Sequence, residues 1–166
     1  MTQDWTLYLC LFLALWSAIV GGVFSAFSEF IMAALRRSSP AVGIEAMQQI
    51  NRTVLRTQFV AGIIVIAPAS VLLAIYAVIA LEGSAIMALM LAPAVYLPTV
   101  FLMTIFGNVP MNNKLDRLDA HTEEAATYWS EYNYRWTRLN HLRSIGSIVT
   151  AVIYLAASML LIQGHA

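Results

Sequence analysis

The chain has 166 residues, of which 60% are hydrophobic and 11% are charged, and its formal net charge is zero. A soluble domain carries roughly 25% charged residues, so a soluble core of this size could not cover so much apolar surface, whereas a bilayer could. The neutral charge balance gives no electrostatic footprint for nucleic acid or for an acidic partner.

The first apolar run covers residues 5–28 and follows an N-terminal segment without the positive charge of a signal peptide. We therefore predict a retained membrane helix. At 100° per residue, Glu29 lies in the middle of a face of small residues, which predicts that its carboxylate points into the bundle. The alternative is an interfacial glutamate that reaches cytoplasmic water. The small residues of this face are Ala18, Gly22, Ser25, Ala26 and Ala33.

Residues 44–58 have one apolar and one charged helical face. The pattern predicts a helix that continues out of the second apolar run, residues 59–81, into the cytoplasm. Asn51 and Gln58 lie on the inward face of this helix.

The third run covers residues 85–106 and follows a tight turn at Glu82. Prolines inside the second and third runs predict kinks. Residues 107–121 read as a turn region, with Asn112 and Asn113 following Pro110 where the third helix is expected to end. The two amides are either turn residues or polar groups of a site.

The fourth run covers residues 145–163, and its helix is predicted to start near residue 122 with Thr122 as the N-cap. A polar and aromatic stripe follows this helix and predicts either helix packing or a polar pocket. Its members are Trp129, Asn133, Trp136, Asn140, Arg143, Ser147, Tyr154 and Ser158.

Two residues extend the interpretation of this stripe. Arg143 lies where the fourth helix enters the membrane, and Glu29 lies at the same depth, where the first helix leaves it. We therefore predict that the two side chains meet directly or through Asn140 or water. His141 lies about 100° from Asn140, beside the stripe, and is either structural or a functional group.

Together the runs predict an all-α fold: one domain, residues 1–166, forming an integral membrane four-helix bundle with helices two and four extended into the cytoplasm. All nine Lys and Arg residues lie in the connections after the first and third runs. The positive-inside rule therefore places both connections in the cytoplasm and both termini outside the cytoplasmic (inner) membrane. Polar groups from four segments converge at the cytoplasmic mouth, which is typical of a site.

Several motifs resemble those of the anthrone-oxygenase-like family of small membrane proteins. They are Asn108-Val-Pro-Met-Asn-Asn-Lys-Leu, Tyr128-Trp129, Trp136-Thr-Arg-Leu-Asn-His-Leu-Arg143, Phe27-Ser-Glu-Phe-Ile-Met32 and Met47-Gln-Gln-Ile-Asn-Arg52. The resemblance covers nearly the whole chain and implies a four-helix membrane fold. Characterised fungal relatives imply oxidation of an anthrone to an anthraquinone by oxygen, whereas most bacterial members are domains of unknown function.

Two classes of function compete. The first is a cofactor-independent monooxygenase that oxidises a lipid-soluble anthrone or phenol. The second is a non-catalytic membrane protein that binds a lipophilic molecule or a partner subunit, and a homo-oligomer fits either class. For the enzyme, we expect Glu29 or His141 to accept a proton, and amides and a cation to stabilise the oxyanion. Aromatic rings would stack on the substrate. We expect no metal or cofactor; the alternative is a metal held by Glu29 and His141, for which too few other ligands are evident. The predicted catalytic residues are Glu29, His141, Asn140 and Arg143, and the predicted substrate-binding residues are Trp136, Trp129, Asn112, Asn113, Asn51 and Gln58.

Overall fold

The computed structural model describes residues 4–163, and nearly all of them are helical. Within these residues four helical stretches are long and apolar enough to cross a membrane. The predicted all-α membrane bundle is therefore confirmed, and the chain is an integral membrane protein. The stretches, called spans one to four below, are Trp5–Arg37, Gln58–Ala80, Ala85–Asp116 and Glu123–Gln163.

Spans one and three are not uniform α-helices. Both contain π-helical turns, in which one extra residue per turn shifts the direction of all following side chains. Span one consists of α1 (Asp4–Ala26), a π-turn (Phe27–Ile31) and α2 (Met32–Arg37). Span three consists of α5 (Ala85–Tyr96), two π-helical segments (Leu97–Leu102 and Thr104–Asn108) and α6 (Val109–Asp116).

The fourth span is the single helix α7 (Glu123–Gln163), as its pattern predicted. The backbone N–H of Ala125 donates to Thr122 Oγ1 at 3.2 Å, which confirms Thr122 as the N-cap. At 1.5 Å per residue its 41 residues extend about 60 Å, roughly twice the thickness of the hydrocarbon core. One half of α7 therefore crosses the membrane against α1 and α5, and the other half extends beyond it.

The predicted continuous helix through residue 58 is wrong. α3 (Pro40–Val54) ends before a short turn, and span two, here α4 (Gln58–Ala80), begins a separate helix. Thr57 is extended, and the carbonyl of Val54 accepts hydrogen bonds from the Thr57 hydroxyl at 2.7 Å and from the Thr57 backbone N–H at 3.1 Å. These turn bonds replace the helical one. The change of direction places Gln58 at the exposed start of α4 rather than on an inward face.

The predicted turn over residues 107–121 is also wrong over residues 107–116, because span three continues to Asp116. Pro110 lies in the first turn of α6, where a missing N–H is tolerated. Gln48 of α3 donates from Nε2 to the carbonyls of Leu115 and Leu118, both at 2.9 Å. These bonds fix α3 against the end of span three, at the same end of the bundle as the long extension of α7.

A close helix contact depends on Gly62 of α4. A Cβ at this position would overlap the indole ring of Trp16 on α1, whereas a Cβ on Gly22 of α1 would meet no atom within 4 Å. We predict that Gly62→Ala lowers the free energy of unfolding by about 1–3 kcal/mol, the usual cost of overpacking. The matched Gly22→Ala variant should leave the thermal unfolding midpoint in detergent near that of the wild type. Equal midpoints for Gly62→Ala and Gly22→Ala would contradict the contact.

Candidate functional site

The guanidinium of Arg143 is the most unusual group in the bundle. The residue is 5% exposed, and no carboxylate of the described residues forms an ion pair with it. Its Nη2 donates to Asn140 Oδ1 at 2.7 Å and its Nη1 approaches Thr104 Oγ1 at 3.4 Å, while Nε has no hydrogen-bond partner among the described residues. A buried cation without a counter-charge is costly, which points to a role other than stability.

Aromatic rings hold the cation instead of a carboxylate. The guanidinium carbon lies 4.2 Å from the ring centroid of Phe24 and 5.3 Å from that of Trp136. Such contacts are worth about 2 kcal/mol or more when the cation is desolvated. They offset part of the cost of burial and leave the charge of Arg143 uncompensated.

Asn140 fixes the position of Arg143. It is fully buried, and its Nδ2 donates to the carbonyl of Phe24 and to Ser28 Oγ, both at 2.7 Å. Because both amide protons are donated to span one, Asn140 has no proton left for a substrate oxygen. Its geometry supports positioning of the guanidinium rather than the predicted direct contact with an oxyanion.

Asn112 is oriented by two donors. The Tyr132 hydroxyl and Trp136 Nε1 both donate to its Oδ1, each at 2.8 Å. Since these two bonds identify the oxygen of the amide, its NH₂ group is free to face the adjacent cavity, which Asn112 lines. The geometry fits the predicted role of Asn112 as a hydrogen-bond donor to a ligand.

A cavity of about 390 Å³ lies beside these groups, within the usual size range of small-molecule sites. A second chamber of about 70 Å³ adjoins it on the buried side, where Phe24, Met47 and Trp136 form the walls. Three polar residues line both: Asn51, Asn112 and Arg143. The remaining walls of the larger cavity are mainly apolar and include Val54, Phe59, Ile63, Phe101 and Ile105.

The larger cavity opens sideways from the bundle. Leu55, Ile64 and Ile105 line it and are 69%, 56% and 42% exposed. These side chains belong to the turn before α4, to α4 itself and to the second π-helical segment of span three. An apolar rim between two spans connects the cavity with the region that lipid occupies around a membrane protein.

The predicted inward orientation of Glu29 is wrong. Glu29 is exposed, as are Ala18 and Gly22 of the small-residue face. The buried face of α1 contains Leu13, Ser17 and Val20 instead. In a span that is apolar on all sides, small residues do not by themselves identify the packed face.

The predicted meeting of Glu29 and Arg143 is wrong for the same reason. Asn140 contacts Ser28 and Arg143 but not Glu29. Glu29 and His141, both exposed, line a separate surface depression between span one and α7, together with Arg36 and Arg138. Arg143 is two residues from His141 and therefore about 200° around the helix. The geometry separates the two predicted proton acceptors from the cavity, and their catalytic role stays a prediction.

A family model described as anthrone oxygenase matches residues 51–153. The chain belongs to the anthrone oxygenase family. No curated protein and no solved structure matches it. The matched region contains the cavity residues from Asn51 to Arg143, whereas Glu29 lies outside it. The predicted family is thereby confirmed over these residues, and the Phe27-Ser-Glu-Phe-Ile-Met32 motif lies outside the match.

The remaining predicted residues of this anthrone oxygenase family member divide into two groups. Asn113 is exposed and lines the cavity. Trp136 lines the inner chamber, whereas Trp129 stacks on Tyr132, with ring centroids 5.5 Å apart, and packs on Gly43. Trp129 therefore holds α3 against α7 and lines neither chamber.

Several polar residues of the site were not predicted from the sequence. Arg52, Thr104 and Asp116 line the cavity. Tyr132 orients Asn112. Asp116 had a usable signal, since it lies three residues after Asn113 and so near it on a helix. Because residues 107–121 were predicted to form a turn, helical spacing was not applied to them. In residues 4–163, no three His, Cys, Asp or Glu side chains group as metal ligands.

Proposed function

We propose that this protein is a membrane oxygenase that converts a lipid-soluble anthrone or related phenol to a quinone with molecular oxygen. The observation that carries the proposal is the buried guanidinium of Arg143, which has no carboxylate partner in the described residues and lines an apolar cavity. Family membership supports the same reaction class.

The reaction needs no external electron donor, because the substrate supplies the electrons. Loss of a proton from the CH₂ carbon of an anthrone leaves an electron pair delocalised onto the carbonyl oxygen. Oxygen takes electrons from this anion and bonds to the same carbon as a peroxide. Breaking the O–O bond with loss of the second C–H proton gives the quinone and one water, so that both oxygen atoms are accounted for.

Arg143 and Asn112 supply the hydrogen-bond donors and the positive charge that stabilise the anion formed in these steps. The negative charge develops on the substrate oxygen, and donors fixed in advance in a water-poor cavity stabilise such charge strongly. The apolar walls suit a flat aromatic ring. The exposed rim at Leu55, Ile64 and Ile105 gives a substrate dissolved in the bilayer a route to the guanidinium.

The proposal is tested with purified, metal-stripped protein and an anthrone under air, by following quinone absorbance. We expect the wild type to exceed the rate in buffer, and equal rates would contradict the proposal. The Glu29→Gln, His141→Ala double variant serves as an internal comparison. A wild-type rate in this variant assigns the proton acceptor to another residue, and a lost rate assigns it to this pair.

We further propose that the protein lies in the cytoplasmic membrane with both termini outside. The cation-rich connections lie at one end of the bundle, since Arg52 of α3 contacts Asp116 of α6 at 2.7 Å. The positive-inside rule favours the cytoplasm for that end. A reporter that works only in the periplasm should be active when fused after Ala166, in a bacterial host. Activity at a fusion within residues 38–43 instead would reverse the assignment.

A further inference from the structure

Asp116 lines the cavity but has no role in the reaction steps described above. It lies in the last turn of α6 and lines the larger cavity, and among the described residues that do so it is the only carboxylate. Its Oδ1 accepts a hydrogen bond from Arg52 Nε at 2.7 Å. No hydrogen bond from the described residues reaches its Oδ2.

The other polar groups of the cavity cannot readily accept a proton. Guanidinium and amide N–H groups are donors, and an amide oxygen is not a base at neutral pH. This applies to the two arginines and three asparagines that line the cavity: Arg52, Arg143, Asn51, Asn112 and Asn113. The Thr104 hydroxyl donates to the carbonyl of Val100 at 2.6 Å. A carboxylate is the one cavity side chain that takes a proton from carbon and returns it to water, and the side chain of Asp116 is 39% exposed.

The positions of Asp116 and Arg143 fit opposite ends of one substrate. Arg143 is buried and lines both chambers, whereas Asp116 lines only the larger one and is partly exposed to solvent. In an anthrone the carbonyl oxygen and the acidic CH₂ carbon lie at opposite ends of the central ring. A substrate with its oxygen at Arg143 therefore presents the acidic carbon away from the buried end.

We infer that Asp116 is the catalytic base that removes the substrate proton, and that Arg52 positions it. This inference rests on the proposed function. The C–H bond breaks, its proton passes to Asp116 Oδ2, and its electron pair moves onto the oxygen held by Arg143. Asp116 then releases the proton to water at the cytoplasmic mouth, and oxygen is the oxidant of the later step.

The test compares two variants that remove the same ion pair. Asp116→Asn removes the carboxylate, and kcat for anthrone oxidation should fall by about 100-fold or more, as expected for loss of a general base. Arg52→Gln leaves the carboxylate in place and should lose much less. With a substrate deuterated at the CH₂ carbon, Asp116→Asn should also show a larger isotope effect on kcat than the wild type.

A third variant excludes a folding defect as the cause. Added acetate should restore part of the activity of Asp116→Ala but none to Arg143→Gln, because acetate replaces only the missing carboxylate. Equal losses in Asp116→Asn and Arg52→Gln, or no rescue by acetate, would overturn the role of Asp116. An active Asp116→Asn beside an inactive Arg143→Gln would overturn this inference and leave the proposed function standing. A wild-type rate no higher than the rate in buffer would contradict both the role of Asp116 and the proposed function.

Discussion

Replacing Arg143 with Gln should lower kcat for anthrone oxidation by about 100- to 1,000-fold, the usual effect of removing one preorganised oxyanion donor. The variant retains an amide that can still donate to Asn140 Oδ1, the acceptor of the shortest Arg143 hydrogen bond. It loses the charge that would balance the substrate oxyanion. The measurement is quinone formation at saturating substrate in vesicles.

The same variant should be at least as stable as the wild type. No carboxylate of the described residues pairs with Arg143, so the substitution leaves no orphaned charge and removes the cost of burying one. We expect an unchanged or higher thermal unfolding midpoint together with the lost activity. Arg143→Lys keeps a charge but not the planar guanidinium, and its kcat should lie between those of the wild type and Arg143→Gln. A fully active Arg143→Gln would contradict the role of the guanidinium.

The second large effect is expected at Asn112. Asn112→Asp is nearly isosteric, and a carboxylate can accept the hydrogen bonds from Tyr132 and Trp136 that Asn112 now accepts. The fold should therefore be retained. The variant loses the N–H donor and adds a negative charge where the oxyanion forms, so kcat should fall by about 100-fold or more.

Asn113→Asp is the matched control for this substitution. It adds the same charge one residue further along, on an exposed side chain where water screens it. We expect a clearly smaller loss of kcat than in Asn112→Asp. Equal losses would mean that added charge at the cavity mouth, rather than the N–H of Asn112, determines the rate.

The fold could be predicted from the sequence because a bilayer requires long apolar helices and because Thr122 marks the start of α7. The site could be predicted only in part. Arg143, Asn112 and Asn51 were identified because polar groups are rare in this apolar chain and therefore visible. The residues around them could not be identified, because the direction of a side chain depends on the backbone conformation of all the preceding helical turns.

The errors have specific causes. Glu29 was misplaced because α1 is apolar on all sides, and helical phase alone could not show which side packs. Gln58 was misplaced because α3 ends at Val54, whose carbonyl accepts hydrogen bonds from both the hydroxyl and the backbone N–H of Thr57. Asp116 was missed because Pro110 was interpreted as the end of span three, whereas it lies in the first turn of α6. The errors at Gln58 and Asp116 followed from where the helices begin and end, which a helical wheel does not represent.

The most direct test of the central claim is an experimental structure with a hydroxylated anthraquinone, a compound of the product class that oxygen does not oxidise further. We predict that its rings fill the cavity of about 390 Å³, with an oxygen at hydrogen-bond distance, about 2.7–3.2 Å, from the guanidinium of Arg143. A lipid acyl chain in the cavity, or the ligand bound elsewhere, would contradict the claim and favour a non-catalytic membrane protein that binds a lipophilic molecule or a partner subunit.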